Sequence, residues 1–153
     1  FGKMHLKASG IRRLNSKRAP HLELFNEVDM FLHHGKTFFL ITEAKLLSSY
    51  SNLKSNLELC AYAFYLAEVM DKLSPDNQPH PLIYDGLVQV LKRLDTAGIQ
   101  KETALHDVKE FILKLVRELG YLPEDQYPMG GINDFVESIA EKRIRSKKFI
   151  DEI

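Results

Sequence analysis

The chain has 153 residues, with 21 basic and 21 acidic side chains, six histidines and one cysteine. At 44% hydrophobic and 27% charged it falls in the globular range, which excludes a disordered chain and fits one ordinary domain or two small ones. No apolar run approaches the roughly 20 residues that span a bilayer, and one cysteine excludes a disulfide framework and an all-cysteine zinc site.

The opening residues FGKMHLKASG lack the apolar core of a signal peptide, and with the cysteine count this points to a reducing, intracellular setting. Met4, Leu6 and Ala8 alternate with Lys3, His5 and Lys7, a period of two that predicts a strand with a basic outer face. GIRRLNSKRAP, ending at Pro20, reads as a basic loop. Alternation resumes at His21: Leu22, Leu24, Val28, Met30 and Leu32 can share a face, with Asn26 the exception, and Glu23, Phe25, Glu27, Asp29 and Phe31 lie opposite. His33-His34-Gly35-Lys36 reads as a hairpin turn in which Gly35 can take a positive φ. An aromatic, β-branched return strand follows from Thr37 to Thr42 or a little beyond. This unit is too short to be a complete barrel.

After Leu47 the period lengthens. Ser55 and Glu58 have capping-box spacing and open a helix to about Leu73, with Leu57, Ala61, Phe64, Met70 and Leu73 on its apolar side and Leu53 just before it. A proline-rich break from Ser74 leads to Pro81, the first turn of a helix to about Leu94 that buries Ile83, Leu87, Val90, Leu91 and Leu94. A third helix runs from about Glu102 to Leu119, with Leu105, Val108, Ile112, Leu115 and Leu119 inward and Gly120 as terminator. Residues 121–131 are turn-rich. Asn133 or Asp134 then caps a last helix through Phe135, Val136, Ile139 and Ala140 toward Ile144. Strands followed by helices predict an α+β fold.

Zero net charge hides a segregation. Residues 1–21 hold Lys3, Lys7, Arg12, Arg13, Lys17 and Arg18 and no acid. Residues 142–148 hold Lys142, Arg143, Arg145, Lys147 and Lys148, again without an acid. The 120 residues between carry 10 basic and 19 acidic side chains. Two cationic ends on an acidic body suit a polyanion, and charge alone does not separate nucleic acid from an anionic membrane or an acidic protein.

Enzyme signatures are absent from the sequence: no phosphate loop, no dinucleotide fingerprint, no HExxH and no CxxC. His33 and His34 point to different sides as solvated turn residues, and Cys60 reads as a core thiol rather than a nucleophile. Glu124 and Asp125 read as a solvated turn rather than an acid–base pair. Tyr62, Phe64 and Tyr65 read as helix packing, so Phe25, Phe31, Phe38 and Phe39 are the better candidates for stacking on bases.

Four stretches in succession resemble the bacterial recombination mediator family RecO. They are GKMHLKASGIRRLNSKRAPHLELFNEVDMFLHHGK, LITEAKLLSSYSNLKSNLELCAYAFYLAEVMDKLSPDNQPHPLIYDGLVQVLKRL, LVRELGYLP and FVESIAEKRIRSKKFIDEI. The resemblance implies a partial N-terminal OB-fold over residues 1–47, its first strand and most of its second lying before Phe1, and a helical domain over residues 48–153. It implies no enzymatic turnover but binding of single- and double-stranded DNA, annealing of complementary strands, and recombinase loading with RecR and the acidic C-terminal tail of single-stranded-DNA-binding protein. The setting it implies is the bacterial cytoplasm, at the nucleoid. The basic loop falls where the family's barrel presents DNA-binding charge. The acidic tail would need an apolar pocket rimmed by cations, for which Lys92, Arg93, Lys114 and Arg117 are candidates, and a helical adaptor with weak DNA binding is the alternative reading. Many family members carry a cysteine zinc module after the counterpart of Tyr121-Leu122-Pro123; EDQYPMGGIND has no cysteine, so neither zinc nor any other cofactor is expected.

Overall fold

The computed structural model describes residues 1–13 and 15–151, the side chains of Phe149 and Asp151 excepted. It is an α+β structure in two compact units, Met4–Tyr50 on one hand and Phe1–Lys3 with Ser51–Ile153 on the other.

The β unit follows from alternation and from two turn-forming residues. Strand β1 (Leu6–Lys7), β2 (Glu27–His34) and β3 (Phe39–Ser48) form an open sheet in the order β1-β3-β2. β1 runs parallel to β3 with Leu6 opposite Phe39, and β2 is antiparallel to β3 with Met30 opposite Ala44. Bulges between Glu27 and Val28 and between Phe31 and Leu32 add local twist. Val28, Met30 and Leu32 are half-buried and Asp29, Phe31 and His33 exposed, as the period of two requires.

Strand structure begins later than the alternation from His21 predicts. Ala19–Leu22 is a 3-10 turn with proline in its first positions, and the Asn26 side chain donates to the carbonyls of Pro20 and His21 (3.1 and 3.0 Å). These local bonds outcompete a ladder there, and Leu24, expected on the apolar face, is exposed. The return strand starts at Phe39 rather than Thr37. Gly35 does not take a positive φ; it is required because a Cβ there would lie 2.8 Å from the Phe38 carbonyl oxygen, whose hydrogen bond from Gly35 N–H (3.1 Å) closes the hairpin.

The helical unit is built around α2 (Leu57–Leu73), preceded by α1 (Ser51–Ser55) and followed by α3 (Pro81–Leu94), α4 (Lys101–Glu118), α5 (Ile132–Ala140) and the short α6 (Lys148–Asp151). α3 packs on α4, and α2 packs on α4, α5 and the chain's last turns. The expected cap moves by one residue: Asn56 Oδ1 accepts from Glu58 and Leu59 N–H (2.9 and 3.2 Å), while Ser55 Oγ donates to the Asn52 carbonyl (2.8 Å). The buried face shifts with it. Leu59, Tyr62, Ala63, Tyr65, Leu66, Val69 and Leu73 are inside, whereas Leu57 and Phe64 are 87% and 45% exposed. Asn56→Ala is therefore expected to lower thermal stability by about 1 kcal/mol and Ser55→Ala by less than about 0.5, read from paired melting curves.

Helices α3 and α4 keep their expected faces, with Ile83, Val90, Leu91 and Leu94 meeting Val108, Ile112 and Leu115 in the core and Leu87, Leu105 and Leu119 half-buried. Gly120, at φ +79°, ends α4: its N–H donates to the Arg117 carbonyl and that of Tyr121 to Val116 (2.8 and 2.9 Å), satisfying carbonyls that a helix end leaves open. α5 starts from Gly131 rather than from a capping Asn133 or Asp134, and stops at Ala140, where Glu141 turns left-handed at φ 49°. Asn133 instead accepts a hydrogen bond from the buried Tyr65 hydroxyl (2.6 Å).

Candidate nucleic-acid interface

The basic loop is a spiral of reverse turns. Arg13 N–H donates to the Gly10 carbonyl, Ser16 to Arg13, Ala19 to Ser16 and His21 to Arg18, at 2.9–3.4 Å. Its ends are stapled by Arg18, whose guanidinium donates to the Ser9 carbonyl (2.7 Å) and to those of Ile41 and Thr42 on β3. A fixed fork of donors suits this bridging, which a lysine ammonium would not reproduce.

Stapling leaves an open concavity of about 770 Å³ lined by Ser9, Gly10, Asn15, Ser16 and the cations Arg12, Arg13, Lys17 and Arg18. No acid lines it. Arg12, Arg13, Lys17 and Lys7 are exposed, and among the described residues no carboxylate pairs with any of the four. Lys3 lies elsewhere. It belongs to the helical unit, where its Nζ is 3.1 Å from Asp76 Oδ1, 3.5 Å from Asp71 Oδ1 and 2.6 Å from the Asp71 carbonyl. Burial opposes its charge, but these acids outweigh burial and raise its pKa.

In the helical unit the second basic segment follows the reversal at Glu141. Ile144 is buried and anchors it, and residues Arg145–Lys147 form a 3-10 turn leading into α6. Glu68 on α2 accepts from the N–H groups of Arg145 and Ser146 (2.9 and 2.8 Å) and from the Ser146 hydroxyl. Lys72, one turn further on, is 3.0 Å from Glu68 Oε1 and donates to the Arg143 carbonyl (2.6 Å). Partial burial by itself would raise the Glu68 pKa, yet the donors from Ser146, Arg145 and Lys72 bring it down to about 2. Glu137 accepts from Ile144 N–H (2.9 Å), which with Lys147 holds its carboxyl below the usual range.

This arrangement sorts the five cations. Lys147 is 2.6 Å from Asp134 Oδ1 and 3.3 Å from Glu137 Oε2, and its side chain is only 21% exposed. Its bond to Asp134 raises its pKa. Lys142, Arg143, Arg145 and Lys148 remain exposed. Glu68, Lys72 and Glu137 escaped the sequence reading because Glu68 meets its backbone partners 77 and 78 residues away. Only the Glu68–Lys72 spacing of four on one helix was visible beforehand.

The remaining candidates divide similarly. Arg93 Nε is 3.0 Å from Asp107 Oδ2, tying α3 to α4, and Arg117 donates to the Gln126 carbonyl (3.0 Å), tying α4 to the following turns. Lys92 and Lys114 are exposed. Phe31, 66% exposed, stands across the ladder from Glu43 and two residues from Asp29, acids that repel phosphate. Phe38, 55% exposed, is two residues from Lys36; Phe25 and Phe39 are half-buried, with Phe39 edge-on to His34. Tyr62 and Tyr65 are core residues and Cys60 is half-buried. A second concavity of about 490 Å³ carries both signs, with Lys109 and Lys147 against Glu110 and Asp134, and His106 beside them. Among the described residues no three His, Cys, Asp or Glu side chains cluster to hold a metal ion, and no helix is long and apolar enough to cross a membrane.

Residues 54–127 match a family described as "Recombination protein O C terminal". The DNA repair protein RecO of Dehalococcoides mccartyi is 34% identical over 117 residues, covering 76% of this chain and 45% of its own length. The RecO proteins of Syntrophomonas wolfei and a Thermoanaerobacter species are 32% and 28% identical over 80% and 81% of this chain, and 47% and 49% of theirs. The chain thus spans about half the length of these curated relatives. The family match over residues 54–127 and the relatives 34% and 32% identical over 76% and 80% of the chain make it a member of the RecO family.

Proposed function

We propose that this chain is a DNA-binding part of a recombination mediator in DNA repair, acting by holding strands rather than by making or breaking bonds. The observation that carries the reading is the stapled basic loop: a concavity rimmed, among the described residues, by four cations and no acid, with Arg12, Arg13 and Lys17 turned to solvent. Cations so placed neutralise successive phosphates without reading base edges, which suits both single- and double-stranded DNA. The exposed cations of residues 142–148 supply a second contact, and neutralising two backbones is what annealing complementary strands requires. Two carboxylates beside that segment, Glu68 and Glu137, are occupied as acceptors from backbone N–H groups, an arrangement suited to scaffolding rather than proton transfer.

The β unit serves in this reading as a partial OB-fold. Membership in the family and the names of the relatives support a repair role; RecR and the acidic tail of single-stranded-DNA-binding protein as partners, in the bacterial cytoplasm at the nucleoid, are part of the proposal. Fluorescence anisotropy of a labelled single strand titrated with the protein tests the core of it. Binding is expected to weaken steeply with salt, with a log–log slope of roughly −0.7 for each phosphate neutralised. Indifference to oligonucleotides at low salt, or binding insensitive to salt, overturns the reading.

A further inference from the structure

Four consecutive residues of the C-terminal basic segment have a backbone group gripped by a side chain from another part of the helical unit. Lys72 holds the Arg143 carbonyl, Glu137 holds Ile144 N–H, and Glu68 holds the N–H groups of Arg145 and Ser146. The two carboxylates, negative groups beside a cationic stretch, would by charge alone oppose a polyanion. Geometrically they do the reverse. With the backbone gripped from inside and Ile144 and Ser146 buried, the Arg143 and Arg145 side chains are left on the solvent side.

We propose that Glu68 and Glu137 are positioning residues for polyanion binding: they fix the backbone of residues 143–146 in advance, so that Arg143 and Arg145 meet phosphate without first being ordered. This rests on the DNA-binding reading above and adds to it that two acids are required for affinity. Each backbone residue left to be ordered on binding weakens association by about five- to thirtyfold. Removing one grip should therefore weaken binding although it removes a negative charge.

The test uses the full chain, with far-UV circular dichroism confirming that each variant is folded, and reads anisotropy of single-stranded DNA together with amide hydrogen exchange. Arg143→Ala with Arg145→Ala is expected to flatten the salt slope by roughly 1.4. Glu68→Gln, which leaves one acceptor oxygen for two N–H groups, and, separately, Glu137→Ala are expected to weaken binding on the order of tenfold. In Glu68→Gln the Arg145 and Ser146 amides should exchange about tenfold or more faster than in the parent, whereas amides in the middle of α4 respond only through the global stability of the helical unit. Once both arginines are alanine, adding Glu68→Gln should cost no further affinity, a coupling that general loosening of the fold would not produce. If the arginine substitutions leave binding unchanged, the DNA reading of this segment falls and the positioning role with it. If they weaken binding but Glu68→Gln and Glu137→Ala bind equally or more tightly, the positioning role alone falls. Unprotected Arg145 and Ser146 amides in the parent protein overturn it without any variant.

Discussion

Replacing Arg12, Arg13 and Lys17 together by alanine is expected to weaken binding to single-stranded DNA by about a hundredfold at low salt and to reduce the magnitude of the log–log salt slope by about 2. The size follows from their surroundings. Among the described residues none of the three has a carboxylate partner, so each can give its charge to a phosphate without breaking an internal pair. A charge-assisted contact is worth on the order of 1 kcal/mol or more at a solvated site, and three together approach two orders of magnitude. Arg18 separates charge from architecture. Arg18→Lys keeps the charge but loses the fork that joins the carbonyls of Ser9, Ile41 and Thr42, so it is expected to speed amide exchange across residues 9–18 and weaken binding. Unchanged affinity for the triple-alanine variant would remove the loop from the interface. Unchanged exchange in Arg18→Lys would remove the staple.

The second large effect is on stability and its pH dependence. The Glu68 carboxyl titrates near 2 in the folded chain, against 4.5 for an ordinary glutamate, so its ionised form is stabilised on folding. That stabilisation is fully present above about pH 4.5. It declines from about pH 4.5 to about pH 2 as the unfolded chain takes up its proton first, and is gone below about pH 2. The shift corresponds to roughly 3 kcal/mol at neutral pH, with the side chain 20% exposed. Glu68→Gln is therefore expected to lower the urea-unfolding free energy of the helical unit by roughly that amount at pH 7, and the two curves should converge near pH 2. The two proteins differ only at residue 68, so contributions common to both cancel in the difference. A gap independent of pH would mean that the clasp does not depend on the Glu68 charge.

Local patterning shows how far residues speak for themselves. Helices α3 and α4 were legible because their apolar residues recur at three and four and because Pro81 and Gly120 mark their ends in ways that depend on near neighbours alone. The α2 face was misplaced because almost every position of LELCAYAFYLAEVM is compatible with a core. Tyr62 and Tyr65 pack inside as their reading as helix packing expects, but the exposure of Leu57 and Phe64 was decided by the helices that pack there. The strand start failed where Asn26 folds back on Pro20 and His21, a side-chain bond that alternation cannot register. Gly35 was rightly marked for the hairpin but for another reason, the approach of the Phe38 carbonyl.

For the interface, the sequence by itself determined where the basic side chains are concentrated and that the two stretches holding them contain no acid, since the identity and order of ionisable residues is something no fold can alter. Tertiary structure alone decided which of those cations remain available. Lys3 meets Asp71 68 positions away, Arg18 reaches across to β3, and the C-terminal segment is held by a carboxylate 77 and 78 positions upstream. Ion pairs and backbone clasps of that span exist only once the chain has brought distant elements together, and no local pattern of charge or hydropathy encodes which acid a given lysine or arginine will find.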